Sequence, residues 1–209
     1  ASETTKCAVK EMAAKNWDAV RARLHDDLVE IDHSTGASMG ADDLISSLQL
    51  LFYGDHPSYQ FEPLATLGPH LLLGLRHISS SGAKGKHFDV GEYAHTSVNL
   101  TESDDESRMR YAEVFAENKL GEAIVRLHER YAESLPEGPL RQQALKRVET
   151  LRAVCGPLDV DRMAEYIAAD LHHIDHRLAG VGTLTGAAAM VNSLRMLIHE
   201  MSEHTAGQV

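Results

Sequence analysis

Apolar positions change period twice along the chain, and each change predicts a change of element. Trp17, Val20, Ala22 and Leu24 recur at helical spacing behind Asn16, a helix-capping residue type. Ahead of them Ala8, Met12 and Ala13 share one face of a helix expected over residues 3–15, with Ser2 as its cap. Residues 28–33 read as a short strand ended by Ser34, Thr35 and Gly36. Leu44, Leu48 and Leu51 then follow the i, i+4, i+7 rule in a helix over 41–53. Beyond it the period shortens to two. Residues 59–66, 70–79, 87–101 and 108–115 predict strands, with a hairpin turn at 80–85 and an acidic loop at 101–107. In the third of these, Phe88, Val90, Ala94, Val98 and Leu100 share one face, and Asp89, Tyr93, His95 and Asn99 the other. A closing helix over 116–134, a linker at 136–139 and a long helix over 140–154 follow. Helices first and a meandering antiparallel sheet second is an α+β plan, with one sheet face meeting the helices.

Part of this pattern occurs twice. Residues 26–33 (Asp-Asp-Leu-Val-Glu-Ile-Asp-His) recur at 169–176 as Ala-Asp-Leu-His-His-Ile-Asp-His. Upstream, Asn16, Trp17 and Asp18 align with Asp159, Val160 and Asp161. Downstream, after a three-residue insertion, Gly40, Ala41, Ser47, Leu48 and Leu51 align with Gly186, Ala187, Ser193, Leu194 and Leu197. An ordered series of this kind indicates tandem duplication. The second copy stops after its helices and lacks the long strands. The expected division is a complete domain over 1–136 and a partial repeat over 137–209. The stripes Met163, Ile167 and Met190, Leu194, Leu197, Met201 then have no sheet of their own, and are expected to bury against the first copy or a second chain.

Composition narrows the function classes. The 209 residues are 43% hydrophobic and 24% charged, as in folded chains of one domain or two small ones. Lys+Arg is 20 against Asp+Glu 31, a net charge of −11, which argues against nucleic acid as a partner. No apolar run approaches the ~20 residues that span a bilayer, so no membrane partner is expected. Two cysteines, Cys7 and Cys155, make no disulfide framework, which points to a reducing, cytoplasmic setting. A first residue of Ala rather than Met suggests a processed chain or a piece of a longer one.

Taken together, the opening helices, the stretch 16–33, the helix "GADDLISSLQLLF", the four strands and the closing "RYAEVFAENKLGEAIVRL" resemble the nuclear-transport-factor-2-like (NTF2-like) superfamily near its SnoaL-like branch. The resemblance covers roughly residues 5–134, and its helical half again 142–204. The stretch "RLHERYAESLPEGP" further resembles linkers in large bacterial signalling and regulatory proteins. This resemblance implies a cone, in which a bent antiparallel sheet wraps three helices around an apolar pocket, and dimers through the sheet's outer face. It also implies small isomerases, dehydratases or cyclases among many pockets without known chemistry.

The repeated Asp-His pairs, Asp32-His33 and Asp175-His176, are the first candidates for chemistry, since a carboxylate-oriented His is a general base near neutral pH. Strand neighbours point to opposite faces, so neither pair is a dyad by itself and a real one needs a cross-strand partner. Parity with Val29 and Ile31 favours His33 inward; the plain alternative has Asp32 accepting turn N–H bonds. His77 shares a face with Leu71, Leu73 and Leu75, where it serves as a base or as a bonded core residue. Tyr93 and His95 are pocket groups or part of a dimer surface, and Trp17 is most simply core filling. The pocket expected from these readings holds Trp17, His33, Phe52, His77, Tyr93 and His95, with His33, His77 and Asp32 as catalytic candidates. His172 and His176 would lie ~13 Å apart along a strand, too far for one ion. No HExxH or paired CxxC occurs, and no metal or cofactor is expected.

Two functions follow. One is a non-catalytic module that binds a small hydrophobic ligand or assembles a larger regulatory protein, as a homodimer or with further domains of its chain. The other is a SnoaL-like enzyme moving protons on a hydrophobic carbonyl substrate, with His33 or His77 as base and Asp32 or Tyr93 orienting it.

Overall fold

A computed structural model describes residues 2–84, 89–156, 159–176 and 182–206. They form two compact units, residues 1–145 and 146–209. The first opens with α1 (Ser2–Ala13), the short α2 (Trp17–Arg21), the hairpin β1 (Leu24–Asp32) and β2 (Ala37–Met39), and α3 (Ala41–Leu51). Asn16 caps α2 by accepting from the Ala19 N–H. Then come β3 (Ser58–Leu67), β4 (Leu71–Ser80), the two-residue strands β5 (Ala83–Lys84) and β6 (Asp89–Val90), β7 (Tyr93–Ser103) and β8 (Met109–Ala116). A single 3-10 turn leads into α4 (Leu120–Ser134). Phe88 lies outside the described residues.

Six strands make one mixed sheet in the order β2-β1-β8-β7-β4-β3. The meander β3-β4-β7-β8 is antiparallel, as the short links predict. The first strand departs from that expectation. β1 pairs with β8 in parallel, Ile31 opposite Glu113, while its other edge holds β2. The crossover through α3 sends the chain to the far edge at β3. Three reversals then return it to β1 running the same way, so the sheet is mixed rather than wholly antiparallel.

Both faces of the sheet are covered, where one was expected to meet helices. On the inner face Ala41 and Leu44 of α3 pack against Leu24 and Leu28 of β1, while Met12 of α1, Val20 of α2 and Phe52 after α3 form a second cluster beside Tyr59 of β3. On the outer face α4 lies across the meander, and its Ala123 and Leu127 bury against Leu71, Leu73, Val98, Leu100 and Phe115. The strand parity read for Val98 and Leu100 against Asn99 therefore holds, but the apolar side meets α4. The polar side faces the three opening helices.

Gly74 of β4 is required by close approach. A Cβ there would stand 2.4 Å from the Phe61 ring and 2.7 Å from the Glu62 carbonyl oxygen. The Phe61 ring thus lies over a bare stretch of β4. Gly74→Ala is expected to displace that ring and cost about 1–3 kcal/mol through overpacking, read by urea unfolding.

The second unit is mainly helical. Its elements are the end of α5 (Pro139–Cys155), α6 (Val160–Ala164), β9 (His172–Ile174), β10 (Thr183–Thr185) and α7 (Ala187–Ala206). These elements follow the opening of the first unit closely. Asp159 caps α6 by accepting from the Arg162 N–H, as Asn16 does for α2, and each of those helices has five residues. β9 and β10 form an antiparallel hairpin like β1 and β2. Gly36 and Gly182, each directly before the second strand of its hairpin, both take φ of +73°. α3 begins at Ala41 and α7 at Ala187, each directly after a glycine. Among the described residues β9 has no neighbour on its second edge. Val160 and Val191 are buried, whereas Ile174, Met196 and Leu197 are exposed; the Met201 side chain lies outside the described residues.

Candidate functional site

Between the inner sheet face and α1–α3 is a cavity of ≈ 140 Å³. Its helical wall is apolar: Ala8, Val9 and Met12 of α1, Val20 of α2, and Leu44 and Leu48 of α3. The sheet wall is mixed, with Leu24, Phe61, Leu72 and Met109 beside polar side chains at both ends of the strands. One end holds Arg23, His70, Glu102 and Ser103. There Arg23 is clamped by Glu11, at 2.5 and 2.9 Å, which holds the Glu11 carboxyl below its ordinary value.

The other end holds Glu30, Tyr59, Arg76 and Asn99. Glu30 is 4% exposed, and its Oε1 stands 3.9 Å from Arg76 Nη1, beyond hydrogen-bond reach. Burial pushes the Glu30 carboxyl above the usual carboxylate range against the pull of Arg76, and Asp32 adds to the rise. Arg76 Nε donates to Ser97 Oγ at 3.2 Å, and that hydroxyl donates to Asn99 Oδ1 at 2.9 Å. Burial likewise raises the Tyr59 phenol, against the Arg76 guanidinium beside it. The cluster can therefore offer a proton from a buried acid, a positive charge, a phenol and an amide to one polar group. The remainder of an occupant would meet only hydrocarbon.

The residues singled out from sequence lie elsewhere. His33, directly after β1, is on the outer face, because the inward positions of that strand are Leu28 and Glu30. A cross-strand partner is nevertheless present. His33 Nε2 is 2.7 Å from Glu113 Oε2 of β8, and its ring stacks on Phe115 at 4.5 Å. Glu113, 2% exposed, also accepts from Tyr111 Oη at 2.8 Å and Arg126 Nε at 2.6 Å. Burial would raise this carboxyl, but the bonds from His33, Arg126 and Tyr111 outweigh it and hold the group below its ordinary value. Asp32 accepts from the Ser34 N–H and Oγ and the Thr35 N–H, closing the turn.

His77 pairs through Nδ1 with Thr96 Oγ1 at 3.0 Å, on the strand face of Leu71, Leu73 and Leu75. Trp17 meets Phe52 edge-on at 5.8 Å, and the two pack together with Met12 and Val20. Tyr93 opens β7 with its phenol raised by burial, and His95 on the same strand is exposed. Asp175 and His176 follow β9, where the Asp175 N–H donates to the Gly182 carbonyl. The six residues expected to line one pocket are thus not brought together, apart from Trp17 with Phe52. Among the described residues no group of three His, Cys, Asp or Glu side chains is placed to hold a metal ion.

Glu30 and Arg76 escaped the sequence reading, although a signal existed. Each is a charge in a strand at the parity of apolar residues, Leu28 for one and Leu72 for the other, and the two charges are opposite.

The first unit is thus an α+β domain in which a six-stranded mixed sheet and the opening helices enclose a half-polar cavity. No family model and no protein of curated function matches the sequence. Among solved structures, the chain is similar to a candidate polyketide cyclase from Xanthomonas campestris pv. campestris, at 14% identity over 60% of this chain and 95% of that one, TM-score 0.44. It is similar to a Mycobacterium tuberculosis protein solved in complex with estradiol-17β-hemisuccinate, at 12% identity over 55% and 91%, TM-score 0.45. An NTF2-like protein of unknown function from Exiguobacterium is similar at 11% identity over 54% and 96%, TM-score 0.40.

Proposed function

We propose that the first unit is a binding module for a small, largely apolar molecule with one polar end, held between the inner sheet face and α1–α3. The observation that carries this reading is Glu30, a buried carboxyl that lines the cavity opposite an apolar helical wall, with Arg76 3.9 Å away. An apolar space with a few convergent polar groups is the form that small-molecule sites take. Thermal unfolding of the full chain with one-ring aromatic compounds tests it. A binder present at 100 times its Kd should stabilise by about 2.7 kcal/mol. No shift with any compound, together with an unchanged response after Leu48→Trp fills the space, would refute it.

A second reading is favoured by the raised Glu30 carboxyl beside Tyr59: acid/base chemistry on a carbonyl compound, with Glu30 as the proton carrier. Glu30→Gln would then retain binding and lose turnover.

The second unit belongs to the proposal as an incomplete tandem copy, supported by the matched caps, hairpins and turn glycines. Its exposed Ile174, Met196 and Leu197 support assembly, either with a second chain or with further domains of a larger bacterial regulatory protein. A cytoplasmic setting belongs to the same reading and is supported by the two free cysteines.

A further inference from the structure

We propose that the cavity takes a one-ring monocarboxylic acid, its ring among the side chains of α1–α3 and its carboxylate between Arg76 and Glu30. This rests on the binding-module reading and assigns the ligand class. Size sets the first limit: ≈ 140 Å³ is close to the ~150 Å³ of an apolar cavity that accepts benzene. A single ring with a small substituent fits.

Polarity sets the second limit. Ser97 fixes the Arg76 guanidinium through Nε, so its plane is held while its terminal nitrogens stand near Tyr59 and Glu30. A planar cation with paired donors suits a carboxylate better than a hydroxyl. Glu30, 3.9 Å from the nearest of those nitrogens, supplies a second polar group beside them.

Charge sets the third. Arg76 with an ionised Glu30 is neutral; a ligand carboxylate added to that pair would leave one uncompensated negative charge in a mainly apolar space. One proton from solvent on Glu30 restores neutrality, and the Glu30 O–H then donates to one ligand oxygen while Arg76 donates to the other. No covalent bond changes. The groups facing Glu30 permit this. Arg76 approaches from β4 and Tyr59 from β3, and Asp32 lies two positions on along β1. The flanking residues of β8 and β2, Ala112 and Met39, are uncharged. The helical wall is apolar, and Arg23, Glu11, Glu102 and His70 belong to the other end.

Calorimetric titration of the full chain with benzoate and with benzyl alcohol, between pH 5.5 and 7.5 in two buffers of different ionisation heat, decides it. Benzoate should bind with uptake of up to one proton at pH values above the folded-state pKa of Glu30, where its affinity should fall by up to tenfold per pH unit, and with little uptake below it. Benzyl alcohol should bind with no proton taken up. Arg76→Gln should weaken benzoate at least about tenfold and leave benzyl alcohol within about twofold. Glu30→Gln should remove the proton uptake. If benzyl alcohol binds and benzoate does not, or Arg76→Gln leaves benzoate unchanged, the carboxylate assignment is overturned while the binding module stands. If neither compound binds, both readings fall. Should Arg76→Gln not fold, the benzoate preference and proton uptake of the unmodified chain decide alone.

Discussion

Replacing Glu113 by alanine should destabilise the first unit by about 3 kcal/mol, the lower end of the cost of breaking a buried ion pair. The carboxylate is 2% exposed and holds His33, Tyr111 and Arg126 at once. Arg126 retains Glu129 and Glu133 after the change, at 3.2 and 3.1 Å, which keeps the loss from the upper end. Because the folded-state pKa of Glu113 is lowered, its stabilisation is fully present above the unfolded carboxylate value and is lost as pH falls through the folded one. Glu30 has the opposite sign. Its raised pKa means that the folded state gains as pH falls through that value, so Glu30→Gln should not weaken the fold at neutral pH. Denaturant unfolding of both variants at pH 4 and pH 7 separates the two behaviours. An acid midpoint for Glu113→Ala that falls as steeply as the parent's would overturn the assignment.

Leu100→Ala should cost about 2–5 kcal/mol, since Leu100 is fully buried beneath α4 with Leu73 and Val98 and a cavity there cannot refill from solvent. Leu197→Ala, at a side chain 45% exposed, should stay within about 0.5 kcal/mol. Equal losses at the two sites, measured by urea midpoints at constant slope, would contradict the placement of α4 on the outer face. That placement also sets a condition on assembly. A dimer through the outer face of β3, β4, β7 and β8 would have to form over α4, not over the bare sheet.

Element types were legible because period and punctuation agree: Leu44, Leu48 and Leu51 repeat as a helix, and residues 70–79 and 108–115 read as strands, one residue from the observed β4 and β8. The tandem-copy reading drew on the same kind of signal, with Asn16 and Asp159 as aligned caps and Gly40 aligned with Gly186. Face assignment failed where both faces of a strand are apolar or both are polar. Val29 and Ile31 suggested that odd positions of β1 point inward, yet Val29 is 41% exposed and Glu30 is 4%. Only the pairing partner resolves such a strand. β8 is remote in sequence, and parallel pairing across that separation leaves no local mark. The His33 partner Glu113 was illegible on the same account, although the need for some cross-strand partner was evident.

That remote pairing also orders events during synthesis. The β1-β2 hairpin and α3 emerge from the ribosome early, but the edge of β1 stays unsatisfied until residues 109–116 have been translated. Until then the nascent chain presents a strand edge and apolar helix faces to its surroundings, and maturation waits on a contact of long loop closure. In the second unit one edge of β9 is likewise unpaired among the described residues.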